Sequence, residues 1–235
     1  MNGPKTEKIE NLFDSIAPDY DKLNHILSLG IDTTWRRRAL RWIVDKERKQ
    51  EILDIACGTG DFSLVIARHA NRESQVTGLD LSQGMLDVMK EKVRKACLDK
   101  RITTQQGNSE SMPFADATFD RVTIAFGIRN FEHRDVALKE ILRVLKPGGR
   151  LVILELSVPQ NKVIRWFYNL YFTKILPIIG GSVSGDKEAY RYLPASVLKF
   201  PAPAEWKAFM AECGYRNIVH KAYTLGICRM YCGEK

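Results

Sequence analysis

The ten residues at 52–61, ILDIACGTGD, place Gly58 and Gly60 behind an apolar run and ahead of a helical pattern. A strand that ends in such a turn and opens a helix lets backbone N–H groups approach a ligand without Cβ obstruction, which is the chemistry of a nucleotide-type site. Asp80 closes the next apolar run, where a carboxylate can accept hydrogen bonds from both hydroxyls of a ribose. A dinucleotide site would carry a third glycine at position 63, and the chain has Ser63 there. Asp54 and Asp61 flank the turn with negative charge that would repel a pyrophosphate but suits a sulfonium with an α-amino group. S-adenosylmethionine has both, and it is the expected cofactor. After the third apolar run comes Gly107-Asn108-Ser109-Glu110, where Asn108 and Ser109 can meet an adenine edge.

The elements that must position these residues are legible from periodicity. Residues 51–56, 75–80, 102–106, 120–126 and 150–156 are short apolar runs of the kind expected of buried parallel strands. Residues 62–70, 82–97 and 134–145 carry apolar residues at helical spacing, with Ser82 as an N-cap and Lys146-Pro147-Gly148-Gly149 as a breaker after the third. Alternation of this kind gives right-handed βαβ units, and ligands of such sheets sit beyond the carboxyl ends of the strands. The expected fold is α/β: a Rossmann-like, doubly wound, mostly parallel seven-stranded sheet with an antiparallel C-terminal strand. A helix over 205–213 and a strand pair at 215–222 and 226–232 close it. One domain covers 1–235, with a helical lid over 5–47 and an aromatic-rich insertion over 157–200.

The composition fits one globular domain of ordinary apolar and charged content. A formal charge of +8 attracts something anionic, although short basic groups such as Arg36-Arg37-Arg38 read as solvated helix faces. No nucleic-acid module is evident, so no nucleic acid is expected as partner. Five cysteines without a C-x-x-C pair suggest neither a disulfide framework nor a thiolate metal site, and Cys228 and Cys232 read as core thiols on one strand face. With no apolar leader and no long uncharged apolar run, the chain is expected in the cytoplasm.

Longer blocks narrow the reading. FDSIAPDYDKLNHILSLGIDTTWRR at 13–37, FGIRN at 126–130, RVLKPGGRLVILELS at 143–157, YRYLPASVLKFP at 190–201 and the closing YTLGICRMYCGEK resemble the menaquinone and ubiquinone C-methyltransferase family across nearly the whole chain. It departs from that pattern at Leu23 and Asp32, where Met and His are common, and at Ala125, where some members have serine. The resemblance implies cofactor contacts at Thr59, Asp80, Asn108 and Ser109, beside Gly58, Gly60 and Asp54 of the turn. It also implies a prenylated quinol as acceptor, demethylmenaquinol becoming menaquinol without a metal. A benzoquinol of the ubiquinone route, another small molecule or RNA are the alternatives.

For that chemistry Arg129 and Asn130 are expected to hold the ring oxygen as it becomes anionic, and Tyr20 to orient the ring from the lid. Arg129, with a pKa above about 12, stabilises the phenolate and cannot be its base. His133 is a candidate base, weighed against an exposed loop histidine. Residues 162–179 set Trp166, Phe167, Tyr168, Tyr171 and Phe172 beside Lys162, Arg165 and Lys174. Such a segment suits a prenyl tail or peripheral contact with the inner face of a membrane, and equally a cap on the core. A homodimer is compatible with the sequence and not legible in it.

Overall fold

A computed structural model describes residues 3–17, 20–21, 28, 30–171 and 187–235. In chain order its elements are α1 (Thr6–Ile16), α2 (Ile31–Ile43), β1 (Glu51–Ile55), α3 (Asp61–His69), β2 (Gln75–Asp80), α4 (Gln83–Lys95), β3 (Ile102–Gln106), β4 (Phe119–Ala125), α5 (Arg134–Val144), β5 (Leu145–Leu156), α6 (Lys162–Leu170), α7 (Lys187–Leu198), α8 (Pro203–Glu212), β6 (Arg216–Tyr223) and β7 (Cys228–Glu234).

The seven strands form one sheet in the order β3-β2-β1-β4-β5-β7-β6. Strands β1 to β5 run parallel, whereas β7 is antiparallel to both its neighbours. This is the expected α/β architecture. The strand order reverses between β1 and β4, and there the crevice at the strand ends opens.

Helices cover both faces, because alternate strand residues are apolar on both sides. One core layer joins Ile52, Val76, Val152, Met230 and Cys232 to Trp35, Leu40 and Ile43 of α2 and to Ile66 and Met89 of α3 and α4. The other joins Leu53, Ile124, Leu151 and Tyr231 to Leu138 and Ile141 of α5 and Trp206 of α8. Of the N-terminal segment, α2 packs into the core, with Trp42 only half-buried, and α1 and Tyr20 line the crevice. Cys228 and Cys232 are buried as expected.

Three local expectations change. β3 is an edge strand with only Ile102 buried, as its polar sequence ITTQQ allows. The Lys146-Pro147-Gly148-Gly149 breaker does end α5, but its residues stay in the ladder as the irregular start of β5, between the Phe119–Leu145 and Arg121–Arg150 pairs. Gly148 makes that possible with a left-handed φ of 73°. Within the insertion, residues 190–198 belong to α7, which accommodates Pro194. Phe172 and Lys174, with the rest of the segment to 179, lie outside the described residues, as does Leu23.

Candidate active site

The glycine turn is built by three departures from strand geometry. Ala56, at the end of β1, takes φ 52°, Gly58 φ 54° and Gly60 φ 83°. Gly60 serves as N-cap of α3, and a Cβ there would stand 2.5 Å from Met89 Cγ of α4. Its glycine is thus required by helix packing, and Gly60 lines neither of the cavities described below. Gly58 does line them, and its N–H donates to Asp80 Oδ2 at 2.8 Å. The Ser82 N–H donates to Asp80 Oδ1 at 3.0 Å, while Ser82 Oγ caps α4 by accepting from the Met85 N–H. Burial pushes the Asp80 carboxyl up, and the backbone N–H donors oppose that shift. Each Asp80 oxygen keeps acceptor capacity for a ribose hydroxyl.

Two cavities meet at the turn. The larger encloses about 720 Å³, part of it open to solvent, and is lined by Gly58, Asp80, Asn108, Ser109, Asn130 and Tyr20, with Leu79, Leu81 and Met85 as an apolar wall. The smaller, about 340 Å³, is lined by Tyr20, Arg36, Asp54, Gly58, Thr59 and Asp61. Gly58 and Tyr20 belong to both, so the cavities are the two arms of one groove. An apolar wall beside Asp80 suits an adenosine, and the charged arm suits an amino-acid tail.

Asp54 is 1% exposed and accepts from Ser63 Oγ at 2.6 Å and Thr123 Oγ1 at 2.8 Å. Burial pushes its pKa up to about 6, against the lowering effect of those two hydroxyls and of Arg36. Folding with a raised carboxyl pKa loses stability as pH rises from the unfolded value to about 6, then levels off. Asp54→Asn is therefore expected to raise the urea midpoint relative to the native chain, by more at pH 7 than at pH 5, while weakening cofactor binding. Urea titrations at the two pH values check this; an equal gap at both would remove Asp54 as the source.

Thr59 is buried, and its Oγ1 donates to Asp21. Lys92 Nζ on α4 gathers Asp21 at 2.6 Å, Thr59 Oγ1 at 3.3 Å and Asp61. One cation thus offsets two carboxylates at the turn and fastens the N-terminal segment to it. α1 is fastened at both ends. At its start the Thr6 N–H and hydroxyl donate to Glu132 Oε2 at 2.8 and 2.9 Å. Near its end Asp14 accepts from Ser82 Oγ and from the Gly84 N–H at 3.2 Å. Between these, Ile9 and Phe13 roof the larger cavity.

The FGIRN segment closes the opposite wall. Phe126 turns at φ 62°, and Gly127 must be glycine because a Cβ there would meet Ala56 Cβ at 2.6 Å. A short 3-10 turn, Ile128–Asn130, follows. Asn130 lines the cavity and its Oδ1 accepts from Tyr192 Oη at 2.7 Å. Arg129 points the other way. It is buried, pairs with Glu155 at 2.7 Å, and also donates to the Phe126 carbonyl and to Ser196 Oγ at 3.3 Å. It is absent from the cavity lining. His133 is exposed, outside the cavity, and held by Glu110 at 2.9 Å, which pushes its pKa up.

Sequence reasoning thus named Tyr20, Gly58, Asp80, Asn108, Ser109 and Asn130, which share the larger cavity, and Asp54 and Thr59, which share the smaller. It missed Ile9 and Phe13, whose four-residue spacing was a signal, and Glu132 and Lys92, whose roles are tertiary.

A family model described as the ubiE/COQ5 methyltransferase family matches residues 1–235. A relative from Geobacter sulfurreducens, named ubiquinone/menaquinone biosynthesis C-methyltransferase UbiE, is 48% identical over 98% of this chain and 90% of its own length. A demethylmenaquinone methyltransferase of Bacteroides fragilis is 43% identical over 100% of this chain and 95% of its own. Among solved structures, a Thermotoga maritima SAM-dependent methyltransferase, possible histamine N-methyltransferase, superposes with TM-score 0.67 at 16% identity, covering 96% of this chain and 99% of that one. Phosphoethanolamine N-methyltransferase 2 of Haemonchus contortus, in complex with S-adenosyl-L-methionine, gives 0.63 at 17% identity over 86% of this chain and 52% of that one. The sheet order, the glycine turn facing Asp80 and the match over the full chain agree: the protein is an S-adenosylmethionine-dependent methyltransferase and belongs to the ubiE/COQ5 methyltransferase family.

Proposed function

We propose that the protein methylates a ring carbon of demethylmenaquinol to give menaquinol. The observation that carries this reading is the placement of Asn130 and Tyr20 in the cavity that also holds Asp80, so that a ring seated by the FGIRN turn lies beside the cofactor turn. The names of the relatives support the acceptor class.

S-adenosylmethionine supplies an electrophilic methyl group on a sulfonium. The protein's part is to bind, orient and exclude water. Ionisation of a ring hydroxyl, its proton passing to solvent, makes the neighbouring ring carbon nucleophilic; that carbon would take the methyl as the methyl–sulfur bond breaks to leave S-adenosylhomocysteine, and transfer of the carbon's own proton to the ring oxygen restores the aromatic hydroquinol. Asn130, its carboxamide fixed by Tyr192, offers a donor to the ring oxygen. Arg129, paired with Glu155 and donating to the Phe126 carbonyl, fixes from behind the turn that presents Asn130, and Tyr20 covers the ring from the N-terminal side. Asp80 with Asn108 and Ser109 holds the adenosine, and α1 roofs the site.

A benzoquinol acceptor is the second reading, favoured by relatives whose names include ubiquinone. Steady-state turnover on demethylmenaquinol against the corresponding demethylated benzoquinol separates them. A higher kcat/KM for the naphthoquinol is expected, and the opposite order would exchange the two readings.

A prenyl tail has to leave the bilayer to reach the site. On α6, Val163, Trp166 and Leu170 are 66%, 61% and 41% exposed, spaced along one side of the helix beside exposed Lys162 and Arg165. Apolar and basic side chains so arranged support peripheral contact with an anionic bilayer. Flotation with anionic vesicles at low salt is expected to carry the native protein and much less of Trp166→Glu. Failure of the native protein to float would remove the membrane role. No described helix is long and apolar enough to cross a membrane.

A further inference from the structure

The run Arg36-Arg37-Arg38 does not behave as one solvated face. Arg37 and Arg38 are exposed, but Arg36 is only 7% exposed, on the buried stripe that α2 shares with Asp32, Trp35, Ala39, Leu40 and Ile43. Its Nη1 donates to the Asp32 carboxylate, and its guanidinium lies over the Phe126 ring, 5.3 Å from the centroid. Asp32 is in turn held by Ser28 Oγ at 2.7 Å. The side chain is thus fixed in place before any ligand arrives. Yet its Nε–H is buried and has no acceptor. A guanidinium N–H without a partner is costly to bury, and Arg36 differs from the other buried unpartnered side chains, Arg121 among them, in lining the groove where a ligand can supply the acceptor.

The surroundings indicate which ligand. Arg36 lines the smaller arm of the groove and is the one cationic side chain among the described residues doing so; Asp54 and Asp61 supply the opposite charge. That arm joins the adenosine arm at Gly58 and Tyr20. A ligand filling it must carry an anion and a cation a few atoms apart, at the end remote from the base.

We propose that Arg36 binds the α-carboxylate of the cofactor's amino-acid tail through its Nε edge, with Asp54 taking the α-ammonium. The pair reads the zwitterion, and the stacking on Phe126 ties the tail's position to the turn that carries Asn130. The proposal rests on S-adenosylmethionine dependence and is independent of which quinol is methylated.

Calorimetry on the full chain tests it without turnover. The ligands are S-adenosylmethionine, its decarboxylated form, which lacks only the carboxylate, and 5′-methylthioadenosine, which lacks the whole tail. The native protein is expected to prefer S-adenosylmethionine over the decarboxylated form by about 10- to 100-fold, the range for a charge-assisted pair. The double variant Asp32→Asn/Arg36→Gln, which leaves no buried charge stranded, is expected to lose that preference and keep its affinity for 5′-methylthioadenosine. Asp32→Asn alone retains the preference. Equal binding of the two forms by the native protein would overturn the proposal, whatever the variants do. So would a double variant that still discriminates, or one that loses 5′-methylthioadenosine in parallel.

Discussion

Asp80→Ala is expected to raise the Kd for S-adenosylmethionine by about two orders of magnitude, with kcat at saturation changed far less. The size follows from what the carboxylate does. Hydrogen bonds to a charged group contribute about 1.5–3 kcal/mol each, and two ribose hydroxyls would lose their acceptor at once. The same carboxylate accepts from the Gly58 and Ser82 N–H groups, so its removal also frees the glycine turn and the loop before α4. None of these atoms is expected to meet the ring that accepts the methyl, which is why the loss should fall on binding. Calorimetry with S-adenosylhomocysteine reads the effect directly. An unchanged Kd would mean that the adenosine lies elsewhere.

Arg129→Ala is the second large effect, and it acts twice. Glu155 is fully buried and accepts from both the Arg129 N–H and guanidinium; without the cation its charge is stranded. Removing one partner of a buried pair costs about 3–5 kcal/mol. For a chain of this length, Tm should fall by on the order of 10 °C. At the same time the turn carrying Asn130 loses the bonds from Arg129 to the Phe126 carbonyl and Ser196 that fix it, and kcat should drop at least about a hundredfold. Adding Glu155→Gln separates the two roles. The double variant is expected to recover most of the Tm and little of the kcat. Recovery of both would reduce Arg129 to a structural residue.

The contrast between Asp80 and Arg129 shows what was legible in the sequence. Asp80, Asn108 and Asn130 follow strand ends, and in a parallel sheet that position alone brings them to the crevice. The fold, the glycine turn and the cofactor were read on the same ground, since periodicity and turn chemistry are local properties. Orientation is not. Asn130 and Arg129 are neighbours, yet one faces the cavity and the other turns to Glu155, because a 3-10 turn sends adjacent side chains apart. The partners that fix them, Tyr192 and Ser196, come from a helix that starts dozens of residues later. Arg36 lay between these cases. Its phase with Asp32, Ala39, Leu40 and Ile43 marked it as buried, but the run of three arginines masked that phase. The edge position of β3 and the bulge at the start of β5 likewise depend on which strands pair, and no single segment encodes that.

The most direct test of the central claim is a single-turnover reaction with cofactor carrying a trideuterated methyl group and demethylmenaquinol as acceptor, the product analysed by mass spectrometry with fragmentation. The label is expected on a ring carbon of menaquinol, with one ring proton released and one S-adenosylhomocysteine formed per methyl transferred. Label on a quinol oxygen, or S-adenosylhomocysteine formed without labelled quinol, would contradict it.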